Sequence, residues 1–584
     1  MKYLLWPAVA LLPLVPKDPR YLPQVLAMDA HDTAPPAPAI EIEASEHSPS
    51  EGKSAQTTAT TLHHAAPARV AFEEYVYWAS AACANNEQRG QHEATFGGSP
   101  TATAWDIERT DESRALRTAS RGAVFYLIVV SIFEPFSTPW AFAQMGYGPG
   151  IATYTVLGAA STYSGWLLWK TYLGLDSDRH PLRGYGDLFY RLFGSAPRHL
   201  VNVCQSIELL LSASVTTLSV SQSLSQISRG SGGGPGLCFV VCLAIFSTAG
   251  MLLGQVRTFR KFSWLANLSV WLGVVVMFIC VGVAVSSRPN FVSTQAQYGP
   301  RFGPGPVVTS FNLPPDGYAS GGSRLVGTVN GILQAVCANG GAMLFVAFLA
   351  EMRRPTDFWK ALLCAELLIY ILYIGFGIVM YSYQGQFALN PAMQGLSPYR
   401  WQSVANALNI GSGLVAATLY SNVGLKIFYA DVLRELFHAP ALHSTRGKLC
   451  WAGLMPIYWA AAFVICSTLP MFSFVTGIIG AIFIMNFSFA IPVLLFLVYT
   501  IKKDGMMQEE RFILATSQYS YKDTGFKRFR RGFMRRPVFN TWNAIYCMGM
   551  TAVSILGVYS SVVALKAAFS GNSSAVRWSC TPPV

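Results

Sequence analysis

Eleven stretches of about twenty mostly apolar residues constrain this chain more than any other feature. They run over 122–144, 148–173, 200–228, 236–256, 262–286, 326–350, 360–383, 402–428, 451–469, 472–500 and 538–567. A bilayer's hydrocarbon core is about 30 Å thick, which a helix of that length crosses. Lipid offers no partner for an open backbone, so each stretch is expected to be helical. Runs such as VLLFLV at Val493 do not alternate as barrel strands do. The expected fold is an all-α polytopic membrane protein. Composition agrees: of 584 residues, 52% are hydrophobic and 12% charged, against about 25% charged in an average soluble domain. That excludes an ordinary soluble enzyme, a disordered chain and a collagen-like fibre.

The net charge of +12 suggests a nucleic-acid partner until it is divided along the chain. Residues 1–121 carry 10 Lys and Arg against 15 Asp and Glu, a net of −5. Residues 122–584 carry 32 against 15, a net of +17, so the positive charge belongs to the most apolar part. This pattern points to a membrane surface and not to a phosphate backbone. With the N-terminus placed inside, the inside connections hold 24 Lys and Arg and the outside ones hold 7. That asymmetry sets a cytoplasmic N-terminus, an odd number of spans and an extracytoplasmic C-terminus. Asn572-Ser573-Ser574 is then a glycosylation sequon on the correct face.

The expected organisation has four parts. Residues 1–69 form a disordered tail rich in Ala, Thr, Ser, Pro and acids. Its apolar run Leu4–Val15 is too short to span; a signal peptide is one reading, and a dispensable leader upstream of Met28 is preferred. Residues 70–121 form a cytoplasmic lead-in with a short interfacial helix over 70–90. The transmembrane domain covers 122–567, and 568–584 is an extracytoplasmic tail. Most of the eleven cysteines lie in apolar runs, where they act as small hydrophobes. Neither CxxC nor a zinc spacing occurs, so neither a metal nor a cofactor is expected. A disulfide through Cys580 is open.

Two spans carry features that an anchor does not need. The first reads Ser131-Ile-Phe-Glu134-Pro135-Phe136-Ser137-Thr138-Pro139-Trp140. Its prolines remove backbone donors in mid-span. The sixth reads Ala338-Asn339-Gly340-Gly341-Ala342, where paired glycines let a helix unwind or a neighbour come close. Alone, each has a plainer explanation: a proline kink, or tight packing. If the first ten spans form two five-helix repeats of inverted topology, the two breaks occupy matching positions, which is the sequence pointer to a transporter's central site.

These segments also carry a resemblance. FSTPWAFAQMGYGPG at Phe136, RGYGDLFYRLFG at Arg183, RKFSWLANLSVWL at Arg260, ANGGAMLFVAFLAEMRRPTDFWKALLCAE at Ala338, SQSLSQIS at Ser221 and the terminal SCTPPV are similar to the amino acid/auxin permease family, above all its fungal members. FEEYVYWAS at Phe72 resembles their cytoplasmic lead-in. The likeness covers about four fifths of the chain, from Arg114 onward. It implies a LeuT-like 5+5 inverted repeat plus an eleventh helix, and secondary active transport of amino acids, commonly driven by protons. It places Ser137, Pro139, Gly340 and Gly341 at the family's two breaks.

An amino-acid zwitterion needs donors for its carboxylate and acceptors for its ammonium. Unwound helix ends offer both. The expected substrate-binding residues are Glu134, Phe136, Ser137 and Thr138 in span one, with Asn339, Gly340 and Gly341 in span six. Ionisable groups within spans are expensive and usually functional. Among the acids after Arg121, only Glu134, Glu208 and Glu366 lie in spans, and no His lies deep in one, so these carboxylates are the candidates for proton coupling. Glu208 is the preferred carrier, while Glu366 also reads as a partner for inside Lys and Arg. Glu134 stands where the family has glycine, and it would repel a substrate carboxylate. Three outcomes stand open: a protonated, coupling Glu134; a preference for cationic substrates; or a site that no longer transports. Thr418 and Ser421 share a face of span eight and form a candidate ion site, though hydroxyls bonded to their own helix are the simpler reading.

Other chemistry is missing from the sequence. GSGGGPG at Gly230 lacks the Lys of a phosphate loop, and neither GxSxG nor HExxH occurs. The cluster GFKRFRRGFMRRP at Gly525 precedes a span on the inside, so it reads as an anionic-lipid contact or topology signal and not as a nucleic-acid patch. The leading expectation is a proton-coupled amino-acid transporter in the plasma or vacuolar membrane, with sodium the less favoured ion. The alternative is an amino-acid-sensing receptor or a transport-deficient relative.

Overall fold

A computed structural model of the chain describes residues 70–91, 117, 119–231, 234, 236–256, 259–298, 303–309, 324–440, 444–468, 472–507, 510, 523, 525–570, 578 and 580. The tail 1–69 and the sequon at Asn572 lie outside the described residues. Every one of the eleven apolar stretches is helical, and no β-strand occurs among the described residues.

Ahead of the spans stands α1 (Phe72–Gln91). The first span is two helices, α2 (Arg121–Ile132) and α3 (Thr138–Met145), joined by a 3-10 turn over Pro135–Ser137. There follow α4 (Tyr147–Leu175), a short α5 (Tyr185–Phe193), α6 (Ser195–Ser228), α7 (Phe239–Leu253), α8 (Phe259–Ser286) and α9 (Phe291–Tyr298). The sixth span is again two helices, α10 (Arg324–Ala338) and α11 (Ala342–Glu351). The chain continues through α12 (Phe358–Gln384), α13 (Tyr399–Ile427), a π-helical turn over Phe428–Leu433, α14 (Arg434–Phe437) and α15 (Thr445–Thr468). The tenth span is α16 (Phe472–Ile479), an eleven-residue π-helical segment over Gly480–Ala490 and α17 (Ile491–Asp504). It ends with α18 (Phe526–Arg535) and α19 (Pro537–Ser570).

Eight of these segments are long and apolar enough to cross a membrane. The other three differ for physical reasons. α7 has 15 residues, or about 22 Å of helix, shorter than a bilayer core. α4 and α13 have full length but are diluted by Gly, Ser, Thr, Tyr and Asn. Those polar positions face inward: Ser161, Ser164, Asn406, Thr418, Ser421 and Asn422 are buried. A helix shielded by its neighbours does not need a uniformly apolar surface.

The broken helices sit at the centre of this packing. α2 packs on α12 and α8, α3 on α10, and α11 on α4; the largest helix interface is α6 against α13. An apolar cluster of Phe136, Val276, Cys280, Phe376, Met380 and Met393 fills the space beside the first break. At one set of helix ends, Cys238 and Cys580 form a disulfide, and the Phe239 N–H donates to the Cys580 carbonyl at 3.1 Å. At the opposite ends the ion pairs gather. Arg528 meets Glu73 at 2.5 Å and Arg117 meets Asp176 at 2.7 Å, and beside them His180 Nε2 and Glu74 Oε1 are hydrogen-bonded at 3.4 Å.

Candidate functional site

The first break follows from its prolines. Pro135 has no N–H to offer Ser131, so α2 stops at Ile132 and the backbone runs extended through Glu134 (φ −134°, ψ 66°). Pro139 then sits in the first turn of α3, where a missing donor costs nothing. One side chain bridges the gap. The Tyr373 hydroxyl of α12 accepts from the Glu134 N–H at 2.7 Å and donates to the Ile132 carbonyl at 2.6 Å. Tyr373 is buried, stacked on Phe133 and edge-on to Tyr154. Ser137 and Thr138 are buried in the turn and the first residue of α3. Phe136 packs edge-on against Phe376 in the apolar cluster.

The second break closes differently. The Asn339 side chain donates to the Ala335 carbonyl at 2.8 Å and caps its own helix. The Gly340 N–H returns to the Cys337 carbonyl at 3.3 Å. Ser161 of α4 donates toward both the Asn339 carbonyl (2.9 Å) and Glu366 Oε1 (2.8 Å). A single hydroxyl thus joins the break to the buried carboxyl of α12.

Both glycines are needed for closeness. A Cβ on Gly341 would strike Ile132 at the first break, and one on Gly340 would strike Ile484 in the π-helical segment. The two breaks are therefore in contact, with the tenth span behind them. That π segment is itself tied in. Pro492 leaves the Ser488 carbonyl without its helical donor, and the Ser164 hydroxyl supplies one at 2.6 Å. The Tyr185 hydroxyl serves the Phe487 carbonyl at 3.0 Å.

The three carboxyls converge on this region. Glu134 keeps some accessible surface at the first break, while Glu366 is buried against the second. Glu208 of α6 is buried, and its Oε2 has no hydrogen-bond partner among the described residues. Cys337 of α10 and Tyr420 of α13 each lie within electrostatic range of both Glu134 and Glu208. Tyr373 lies within range of both Glu134 and Glu366. Thr418 and Ser421 flank Tyr420 on α13, and their hydroxyls donate to the Leu414 and Thr418 carbonyls of their own helix at 2.7 and 2.9 Å.

Tyr373, Ser161, Tyr420 and Ser164 escaped the sequence reading. A signal existed for two of them. Glu366, Tyr370 and Tyr373 follow an i, i+4, i+7 spacing on an otherwise apolar helix, which puts them on one face. Pro492 also marks Ser488 as a carbonyl in need of a partner.

This geometry meets the comparisons with known proteins on one point. The family model described as transmembrane amino acid transporter protein matches residues 134–527, from Glu134 in the first break to the start of α18. A transmembrane transporter of Fusarium pseudograminearum is 25% identical over 471 residues, 80% of this chain and 87% of that protein. An N amino acid transport system protein of Neurospora crassa is 23% identical over 397 residues, 66% of this chain and 78% of that protein. The chain is a membrane transporter and not an enzyme, and it belongs to the transmembrane amino acid transporter family.

Proposed function

We propose that this chain is a proton-coupled secondary transporter of amino acids that works by alternating access. Its fold is read as ten core helices in two inverted five-helix repeats of the LeuT type, with α19 as an eleventh. The substrate site lies between the breaks: first-turn N–H groups of α3 and α11 take the carboxylate, and carbonyls at the ends of α2 and α10 take the ammonium. The hydroxyls of Ser137 and Thr138 line it, with the Phe136 ring at its edge. The carrying observation is the apposition of the two breaks, Gly341 against Ile132, with Glu134 in the first and Glu366 joined to the second through Ser161. Glu208 is the proton carrier because its Oε2 has no hydrogen-bond partner among the described residues. Glu366 reports on the second break through Ser161. The N-terminus is cytoplasmic, in the plasma or vacuolar membrane.

The test is uptake of labelled amino acids into proteoliposomes under an imposed pH gradient. Uptake is expected to follow the gradient and collapse with a protonophore. Glu208→Gln, which keeps shape and removes the titrating group, is expected to abolish gradient-driven accumulation while leaving exchange down a substrate gradient. Equal uptake with and without the gradient sinks proton coupling. Glu134 favours a second reading, a receptor or transport-deficient relative, because a carboxylate there opposes the substrate's own. Substrate binding without flux, restored to flux by Glu134→Gly, identifies that case.

A further inference from the structure

α18 has two unlike faces. Its inward face is clamped. Arg528 pairs with Glu73, Arg531 with Asp523 at 2.6 Å and with the Gly505 carbonyl, and a Cβ on Gly532 would strike the Ile501 carbonyl. Its outward face carries a stack of Phe526, Phe529 and Phe533, with successive ring centroids 6.3 and 6.2 Å apart. Phe526 is 76% exposed and Met534 59%. Lys527 and Arg530 flank that stack and are exposed as well. Water-exposed aromatic stacks are costly, and cations interleaved with them mark a surface that meets something both apolar and anionic.

Position names the partner. Arg536 leaves helical geometry (φ −135°, ψ 64°) because the residue before a proline is pushed out of it. Pro537 then begins α19, long and apolar enough to span. One residue thus separates α18 from the mouth of a span, which sets its exposed face at the level of lipid headgroups. We infer that the Phe526–Phe529–Phe533 stack with Lys527 and Arg530 is a binding surface for anionic phospholipid, rings among the upper acyl chains and cations on the headgroups. This rests on α19 crossing the membrane, not on the transport mechanism.

The test uses the full chain reconstituted in phosphatidylcholine with a trace of spin-labelled lipid. The fraction of spin label immobilised at the protein is compared for phosphatidylserine and phosphatidylcholine. Each cation near an anionic surface contributes about fivefold in affinity. The serine lipid is therefore expected to be favoured several-fold, and the ratio to fall toward one in K527Q/R530Q. Raising salt from about 0.01 M to about 1 M, which shrinks the screening length from about 30 Å to about 3 Å, is expected to do the same to the unaltered protein. The salt arm also reads the charge without relying on a variant that folds. A ratio of one at low salt, or a ratio untouched by both salt and substitution, overturns the assignment. Displacement of the serine lipid by polyuridylate also overturns it, giving the surface to nucleic acid.

Discussion

At the scale of single residues, each helix break is bonded by a hydroxyl that meets two partners at once. Tyr373 holds the Glu134 N–H and the Ile132 carbonyl together. Tyr373→Phe keeps the ring and strands both groups in a buried setting, at about 1–3 kcal/mol for each unsatisfied group. A lower thermal midpoint in detergent and uptake reduced about tenfold or more are expected. A variant that matches the unaltered protein in both would show that the bridge is incidental. The sequence made the carboxyls legible because an acid inside an apolar run has no cheap explanation. It left the roles of the hydroxyls illegible, even where spacing puts Tyr373 on one face with Glu366, because Tyr and Ser are tolerated in any membrane helix and their role depends on which carbonyl faces them. Ser161 is one of several hydroxyls on α4, and only the packing shows that it touches both Asn339 and Glu366.

At the scale of elements, the two breaks were legible and the π-helical tenth span was not. Proline and paired glycine change what a backbone can do, so they leave a mark in sequence. The π segment over Gly480–Ala490 reads GAIFIMNFSFA, an ordinary apolar run. Its geometry is sustained by side chains of distant helices, Ser164 and Tyr185. Contact between the breaks predicts a sharp contrast among glycines. Gly341→Ala pushes a methyl into Ile132 and within 3.1 Å of Ser131 Oγ. Overpacking of this kind costs about 1–3 kcal/mol. At Gly375 on α12 an added Cβ meets nothing within 4 Å, and replacing a helical glycine by alanine gains up to about 1 kcal/mol. Uptake and thermal stability are therefore expected to fall in Gly341→Ala and to hold or rise in Gly375→Ala. Equal behaviour of the two variants would show that the breaks do not depend on close approach.

At the scale of the whole helical body, two chemical asymmetries point the same way. One set of helix ends holds the disulfide between Cys238 and Cys580, with the Trp578 N–H on the Ser467 carbonyl at 3.3 Å and its ring on Phe463. The start of α7, the end of α15 and the tail after α19 must then share one side of the membrane. The opposite ends hold the ion pairs of Arg528 with Glu73, Arg117 with Asp176 and Arg198 with Asp187. Disulfides persist in oxidising compartments and are rare in cytosol, whereas Lys and Arg accumulate on cytosolic connections. Cysteine chemistry and the Lys and Arg count therefore predict the same orientation, although neither depends on the other. The expected outcome is a joined Cys238–Cys580 peptide in a non-reducing digest. In intact cells or vacuoles, a C-terminal tag should be open to protease only from the non-cytosolic side, and an N-terminal tag only from the cytosol. A C-terminal tag cleaved from the cytosol, with Cys238 and Cys580 both free to alkylate, would invert the topology. Every Lys and Arg assigned to the inside would then need another explanation.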